Sequence, residues 1–221
     1  MHPLVFRRSL PLLLVGMLIA SVGSAAACGN GKLILEDKFE TLDPSWHFSQ
    51  QDKRRTNGPD GLTYRLEPGD AIALLNQSGS YQNYEVCAVF ITSIPANLGG
   101  FVNVRFWSVD EDHYYWGNVF PGRGVYLITR KQNGKTIFPA TGAASFIAKG
   151  ANATNEVSVS VNGNKGTFSV NGQKLTDFTG QPPEGGSLFG FIMFADKENP
   201  GPSDFTLKSI QLREIGTAQP Q

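Results

Sequence analysis

The segment Glu156–Phe178 constrains the fold of this chain more than any other part of it. Within it, Val157–Val161 alternates valine with serine, which is the period-two pattern of a strand with one buried face. The dipeptides Asn162-Gly163 and Asn171-Gly172 follow at hairpin spacing, and Asn-Gly between such runs is a strong hairpin signal. The segment therefore predicts a three-stranded antiparallel meander and an all-β protein around it.

The rest of the chain has the same character. Beyond residue 27, short apolar or alternating segments are separated by Gly, Asn, Asp and Pro, and no run has helical periodicity. Tyr84–Thr92 is apolar on both faces, which predicts a central strand. We expect an antiparallel two-sheet β-sandwich. Its other predicted strands are Lys32–Phe39, Gly61–Leu66, Ala71–Leu75, Gly100–Val109, His113–Phe120, Gly124–Lys131, Ser187–Ala195 and Phe205–Glu214.

The first 27 residues have the three parts of a secretory signal peptide. Arg7-Arg8 precedes the apolar stretch Leu10–Ala20, and Ala25–Ala27 supplies a small-residue cleavage region. An uncleaved anchor is the alternative, but the apolar stretch falls short of the roughly 20 residues that span a bilayer. The paired arginines also leave a twin-arginine signal open. The sequence predicts export to a periplasmic or extracellular space, a single β-sandwich domain over 28–214 and a flexible tail over 215–221.

Two cysteines remain after the predicted cleavage, Cys28 and Cys87. In an oxidising compartment an isolated pair readily forms a disulfide, which would tie the N-terminus to the strand that holds Cys87. A lipoprotein signal with an acylated Cys28 is a second interpretation, although Ala25 stands where such signals usually carry leucine. A third is that Cys87 is an ordinary small buried side chain.

The charge balance disfavours polyanionic partners. The chain has 19 basic and 19 acidic residues; without Arg7 and Arg8 the basic count is 17 and the net charge −2. No run of Lys or Arg appears, so we expect neither nucleic-acid binding nor attraction to anionic lipid.

Three groups of residues carry a resemblance to a known superfamily. The first is Leu35–Phe39 with Leu42–Trp46. The second is a central block with Gly100-Phe101, Arg105, Asp110, Tyr114-Tyr115, Val125–Leu127, Arg130 and Asn133-Gly134. The third comprises Val170–Gly172, Gly190-Phe191 and Asp204-Phe205. Together they resemble the concanavalin A-like lectin/glucanase superfamily, particularly its bacterial exported laminin G-like and 3-keto-disaccharide hydrolase-like members. The resemblance implies a jelly roll and leaves the activity open, since that superfamily holds lectins, glycosidases and adhesion modules.

The sequence offers no catalytic pattern of that superfamily. Its glucanases carry Glu-x-Asp-x-(x)-Glu on one strand, and alternation there puts the carboxylates on one face. The nearest counterpart, Asp110-Glu111-Asp112, lacks the second glutamate and reads as a polar turn. The Asn-Ser-Gly segment of the 3-keto-disaccharide hydrolases is also missing. We therefore expect a non-catalytic protein and keep a glycoside hydrolase of that group as the alternative.

No cofactor is predicted. Asp110 and Asp112, next to His113, are weak calcium candidates, because calcium takes 6–8 oxygen ligands and adjacent acids cannot surround an ion alone. The histidines and cysteines lack zinc spacing.

Aromatic and polar side chains on two adjoining strands form the candidate binding surface. Alternation places Asn103, Arg105 and Trp107 on one face of their strand, opposite apolar residues that face the core. The register of the next strand leaves open whether Tyr115 or Trp116 joins Trp107. The full candidate set is Asn103, Arg105, Trp107, Tyr115, Trp116, Asn118 and Arg130.

Such a mixture suits carbohydrate, because sugar rings stack on aromatic faces while amides and guanidinium groups bond their hydroxyls. The leading hypothesis is a domain that binds a carbohydrate or another envelope ligand through this sheet face. A structural module that contacts an envelope protein is a further alternative.

Overall fold

The computed structural model describes residues 28–49 and 51–215, so the predicted signal peptide and residues 216–221 of the tail lie outside the described residues. Fourteen strands and one short 3-10 helix, Pro44–Trp46, occur in the described part. The strands are β1 (Leu33–Asp37), β2 (Arg55–Gly58), β3 (Gly61–Leu66), β4 (Ala71–Tyr81), β5 (Tyr84–Thr92), β6 (Gly100–Ser108), β7 (His113–Phe120), β8 (Val125–Gln132), β9 (Lys135–Ala143), β10 (Ala153–Asn162), β11 (Lys165–Val170), β12 (Gln173–Thr179), β13 (Ser187–Ala195) and β14 (Ser203–Glu214).

The strands form two antiparallel sheets, which confirms the predicted all-β sandwich. The eight-stranded sheet has the order β12-β11-β10-β5-β14-β3-β2, and β1 also pairs with β14. The six-stranded sheet has the order β4-β13-β6-β7-β8-β9. Sequence reasoning did not list β2 and β9, which lie at the edges of the two sheets. Among the described residues no helix has the length and apolarity needed to cross a membrane.

The predicted meander forms β10, β11 and β12 at one edge of the eight-stranded sheet. Gly163, Asn171 and Gly172 have φ values of 55°, 50° and 73°, the left-handed conformation that Asn-Gly hairpins require. The meander predicted from the alternating valines and the Asn-Gly dipeptides is therefore confirmed.

The core lies between the two sheets. The central position predicted for β5 is confirmed, since β5 pairs with β10 on one side and β14 on the other. Its Val86, Ala88 and Phe90 are buried against residues of the six-stranded sheet such as Val104 and Phe191.

The tryptophan that follows β1 closes one side of this core. Trp46 is buried beside Phe39 and Phe191, and its indole donates to the carboxylate of Asp37 at 2.8 Å. Burial raises the pKa of Asp37, an effect that its bonds to Phe39 and Trp46 oppose. The segment that carries the resemblance at the N-terminus is therefore a packing element.

The predicted disulfide is confirmed. Cys28 and Cys87 are bonded, with their Cα atoms 5.7 Å apart, and the described residues hold no free cysteine. The bond fastens residues before β1 to the middle of β5. Because both sulfurs are consumed, this geometry argues against an acylated Cys28.

Candidate functional site

The predicted binding patch is divided between two places. Asn103 pairs with Asn118 and Arg105 with Trp116, so these four residues share the face of the six-stranded sheet that points away from the core, called here the outer face. The other three candidates, Trp107, Tyr115 and Arg130, lie elsewhere.

The prediction that Trp107 shares a face with Asn103 and Arg105 is wrong. Trp107 has φ of 45°, a left-handed conformation that breaks the alternation of β6. Its ring therefore turns to the core side and packs against Tyr115 and Phe178, with 2% of the residue exposed. The register of β7 places Tyr115, and not Trp116, on the side of Trp107.

The asparagines of the outer face are used internally. The Asn103 side chain accepts from the Ile192 amide at 2.9 Å and donates to Asn118 at 3.1 Å. Asn118 in turn donates to the carbonyl of Leu127 and the hydroxyl of Thr129. Both asparagines are at most 1% exposed. Their hydrogen bonds join four neighbouring strands and leave little capacity for a ligand.

Arg105 is likewise committed to the fold. Its guanidinium donates to the hydroxyl of Ser108 at 3.0 Å and to the carbonyl of Asp110 at 2.6 Å, and it contacts the Glu111 carboxylate at 3.4 Å. It lies 3.9 Å from the centre of the Tyr114 ring, which stacks on Trp116 at 4.4 Å. Burial lowers the pKa of Arg105. The side chain holds the β6–β7 turn, and Trp116 is the one half-buried member of the four.

The remaining candidates line a cavity of about 300 Å³ where β6 and β8 end and β7 begins, next to the segment that crosses from β12 to β13. We call it the end cavity. Its volume is at the lower limit of pockets that hold small molecules. The lining residues are Trp107, Val109, His113, Tyr114, Tyr115, Arg130, Lys131, Gln132, Gln181, Pro182 and Pro183.

Two aromatic rings and the crossing segment form one side of the end cavity. The backbone N–H of Gln181 donates to the Tyr115 hydroxyl at 3.0 Å. Gly180 lies so close to Trp107 that an added Cβ would be 2.2 Å from its ring. Only glycine therefore fits there, and the crossing segment is held in place on the two rings.

The backbone of Trp107 is held by a hydrogen bond on the core side of the ring. Its N–H donates to the Tyr84 hydroxyl at 3.1 Å, and that hydroxyl contacts the Ser187 hydroxyl at 3.0 Å. Complete burial raises the pKa of Tyr84 to about 12. The indole Nε1 of Trp107 is buried and has no hydrogen-bond partner in the part of the chain that the structure describes. Buried donors are almost always paired, so this one calls for an acceptor.

Arg130 contributes a guanidinium group to the end cavity. Its guanidinium lies 5.5 Å from the centre of the Tyr115 ring and donates to the side-chain oxygens of Gln132 and Gln181. Within the described residues no carboxylate lies within 4.0 Å of it. This guanidinium is held by neutral acceptors alone.

The two calcium candidates already have basic partners. Asp110 accepts from the Asp112 amide at 2.7 Å and contacts His113 at 2.9 Å, while Asp112 pairs with Lys131 at 2.9 Å. The bond to the Asp112 amide, followed by that to His113, lowers the pKa of Asp110. Bonds to Asn133 and then to Asp110 raise the pKa of His113. Calcium binding at these acids stays a prediction.

A smaller cavity of about 220 Å³ adjoins the first. It shares Trp107, Pro182 and Pro183 with the end cavity and extends past them to Tyr81 and Asn83. The two cavities therefore share one tryptophan and one Pro-Pro pair.

Comparison of the whole structure with solved structures decides the fold. A carbohydrate-binding module, CBM66, from Bacillus subtilis superimposes with a TM-score of 0.53 at 14% identity, covering 70% of this chain and 89% of that one. The fold is a concanavalin A-like jelly roll. A Bacillus licheniformis β-glucanase superimposes with a TM-score of 0.59 at 12% identity, covering 85% of this chain and all of the other.

A structure of endo-acting O-glycanases from human gut microbiota gives a TM-score of 0.61 at 11% identity, over 83% of this chain and 100% of that one. At such identities the likeness concerns the jelly roll alone. No protein-family model matches the chain, and no curated protein matches it.

Sequence reasoning missed the crossing segment of the site. Gln181 reaches Tyr115 across 66 positions of the chain, and its neighbours Pro182 and Pro183 read as an ordinary loop. A signal that finds them would have to report contacts between distant strands, which periodicity does not do.

Proposed function

We propose that this chain is an exported, non-catalytic domain that binds carbohydrate and holds a sugar ring in the end cavity. One observation carries the proposal. The end cavity is lined by the aromatic residues Trp107, Tyr114 and Tyr115 together with the guanidinium of Arg130 and the side-chain amides of Gln132 and Gln181. Sugar recognition needs this combination, because ring C–H groups pack on aromatic faces while hydroxyls bond to polar groups.

The solved structures of the same fold support the carbohydrate part of the proposal. One is a carbohydrate-binding module, and others are a β-glucanase and an O-glycanase. Fold likeness alone is a weak argument for function, so the proposal depends on the side chains of the cavity.

The residues of the cavity favour binding over hydrolysis. Glycoside hydrolysis commonly uses two carboxyl groups on opposite sides of the scissile bond. The lining of the end cavity contains basic, amide, aromatic and aliphatic residues and no Asp or Glu. A hydrolase of the 3-keto-disaccharide group is the alternative. Incubation with 3-keto-glycosides and β-glucans should give no turnover, and turnover at a rate proportional to enzyme would contradict the non-catalytic assignment.

Export is supported by two features. Residues 1–27 have the composition of a signal peptide, and the Cys28–Cys87 bond belongs to an oxidising compartment. Expression of the full chain in a bacterial host should yield a periplasmic or secreted product that begins near Cys28. N-terminal sequencing measures this directly, and a cytoplasmic, uncleaved product would refute it.

A glycan array with the purified protein tests the binding proposal. We expect binding to at least one glycan class, weakened about tenfold in Trp107→Phe, which replaces an indole of the cavity lining by a smaller ring. Trp116→Ala, on the outer face, is the matched control and should leave binding unchanged. The opposite result would move the site to the outer face, and an array without any bound glycan would refute the proposal.

The structural-module alternative has one observation in its favour. The edge strand β9 exposes Ile137 and Phe138 to 50% and 62%, which is unusual for large apolar side chains on an unpaired edge. Pro139 follows them and prevents continuous pairing with another strand. If Ile137→Ser/Phe138→Ser abolishes an association found by sedimentation or pull-down while glycan binding persists, this edge is a separate protein contact.

A further inference from the structure

We infer that the sugar bound in the end cavity carries a carboxylate, as a uronic acid does, and that Arg130 recognises it. The inference rests on the proposed function and names the class of ligand that the cavity selects. It depends on how charge is distributed around the cavity and on what holds the Arg130 guanidinium.

The lining of the end cavity is basic. It includes His113, Arg130 and Lys131 and no acidic residue. A second cavity of about 320 Å³ shares Arg130 and Gln132 with the end cavity, and it adds Lys135 and again no acid. A cavity lined by cations without acids attracts anionic ligands over neutral ones.

The three basic side chains of the end cavity are not equivalent. Lys131 contacts Asp112 and His113 contacts Asp110, each at 2.9 Å, so a nearby carboxylate offsets their charge. Arg130 has no such partner among the described residues, in which all 19 acids of the chain occur. Its charge is the one left uncompensated at the cavity.

The groups that hold Arg130 also orient it. The Tyr115 ring lies beside the guanidinium plane, and the side-chain oxygens of Gln132 and Gln181 accept from Nη2. A planar guanidinium fixed in this way can present two parallel N–H groups to a carboxylate. A hydrogen bond to an ionised oxygen is roughly twice as strong as one to a neutral amide oxygen. A ligand carboxylate is therefore expected to displace the amide oxygens from Arg130.

The neutral part of the lining argues for a carboxylate attached to a sugar. Val109, Pro182 and Pro183 add apolar surface to the cavity that holds the guanidinium, and Gln132 and Gln181 add neutral amides. A free carboxylic acid would use the cation and leave the apolar surface and the amides unused. A uronic acid engages all three, because its carboxylate is bonded directly to a ring carbon.

Protein-observed NMR titration of the purified full chain tests this inference. The probes are methyl β-D-glucuronide, its methyl ester and methyl β-D-glucoside, with the corresponding galacto series, glucose 6-sulfate and acetate. The indole N–H resonance of Trp107 reports binding at the cavity. We expect the glucuronide or the galacturonide to bind about tenfold or more tightly than its ester and its neutral analogue, with a preference that falls as salt is raised.

Three variants identify the group responsible. Arg130→Gln should bind acidic and neutral sugars equally, and Arg130→Lys should keep part of the preference because it retains the charge without the fork. Arg123→Gln makes the same charge change at the opposite end of β7 and β8, where Arg123 lies beside Asp196, and should leave the preference intact.

The outcomes separate this inference from the proposed function. Equal binding of acidic and neutral sugars at the cavity would refute the inference and leave carbohydrate binding standing. Tighter binding of the sulfate, or equal binding of acetate, would refute the assignment to a uronic acid. If no sugar shifts the Trp107 resonance while the glycan array detects binding, the end cavity is not the site, and the inference and the proposed location fail together.

Discussion

The rings of Trp107 and Tyr115 lie 5.1 Å apart and almost perpendicular, at 82°, and they separate the hydrophobic core from the end cavity. This edge-to-face contact exists because Trp107 leaves the alternation of β6 through a left-handed backbone. The Tyr84 hydroxyl holds the backbone N–H of Trp107 in that conformation. Core packing and the candidate site therefore depend on the same pair of rings.

Gly180→Ala should damage the site and the fold together. Its new Cβ would lie 2.2 Å from the Trp107 ring, so the crossing segment must move away from the cavity. We expect the free energy of unfolding to fall by about 1–3 kcal/mol and glycan binding to weaken. Urea unfolding and the glycan array measure the two effects. Gly58→Ala is the matched control, because a Cβ at Gly58 meets nothing within 4 Å and stability should change little.

Asn118→Ala should reduce stability without affecting binding. The change leaves the Asn103 amide, the Leu127 carbonyl and the Thr129 hydroxyl without a partner they now have. Leaving buried polar groups unpaired costs about 1–3 kcal/mol each, and some relaxation will recover part of this. Urea unfolding should detect the loss, whereas the exposed Asn164→Ala should not alter stability. A loss of glycan binding in Asn118→Ala at intact stability would mean that the outer face contacts the ligand.

Removing the disulfide should destabilise the protein by about 4 kcal/mol. The bond closes a loop with a sequence separation of 59, which restricts the unfolded chain in the chain-entropy model. The double variant Cys28→Ala/Cys87→Ala should therefore unfold at lower denaturant concentration than the oxidised protein. Reduction of the native protein should raise its mass by about 2 Da, the two hydrogens of one opened disulfide. A mass larger by a diacylglycerol group, or an unchanged unfolding midpoint, would contradict the disulfide.

Stability should fall steeply in alkali because of Tyr84. Burial raises its pKa to about 12, above the usual value near 10, so the folded state holds the phenol proton more tightly than the unfolded state. The contribution of the Tyr84 phenol to the free energy of unfolding is therefore fully present below pH 10 and is lost as the pH rises through 12. At two pKa units the loss amounts to roughly 3 kcal/mol. Unfolding at a series of pH values should give a flatter profile for Tyr84→Phe than for the native protein or the partly exposed Tyr81→Phe.

Local sequence patterns predicted the parts of the fold that local physics controls. The Asn-Gly turns around β11 and the two apolar faces of β5 both led to strands that the structure contains. The disulfide was predicted because the chain has only two cysteines and the predicted compartment is oxidising. The turns and β5 were predicted from a few adjacent residues, and the disulfide from the fact that two cysteines can form only one intrachain pair.

The site followed from sequence only in part. Alternation correctly put Asn103 and Arg105 on one face, yet it could not reveal that their polar atoms are consumed by Ile192, Asn118 and Ser108. It failed at Trp107, because a single left-handed residue reverses the side on which a side chain lies.

The sequence by itself predicted an all-β chain and the central strand β5, and it favoured the Cys28–Cys87 disulfide over an acylated Cys28, since these depend on periodicity, turn chemistry and cysteine count. The tertiary structure alone decided which candidate residues meet. Trp107, Tyr115, Arg130 and Gln181 come from four separate parts of the chain, and the pairing of strands brings them together at one cavity. The physical reason is that side-chain period reports the face of one strand, whereas a site requires the register between strands and the path of the segments that connect them.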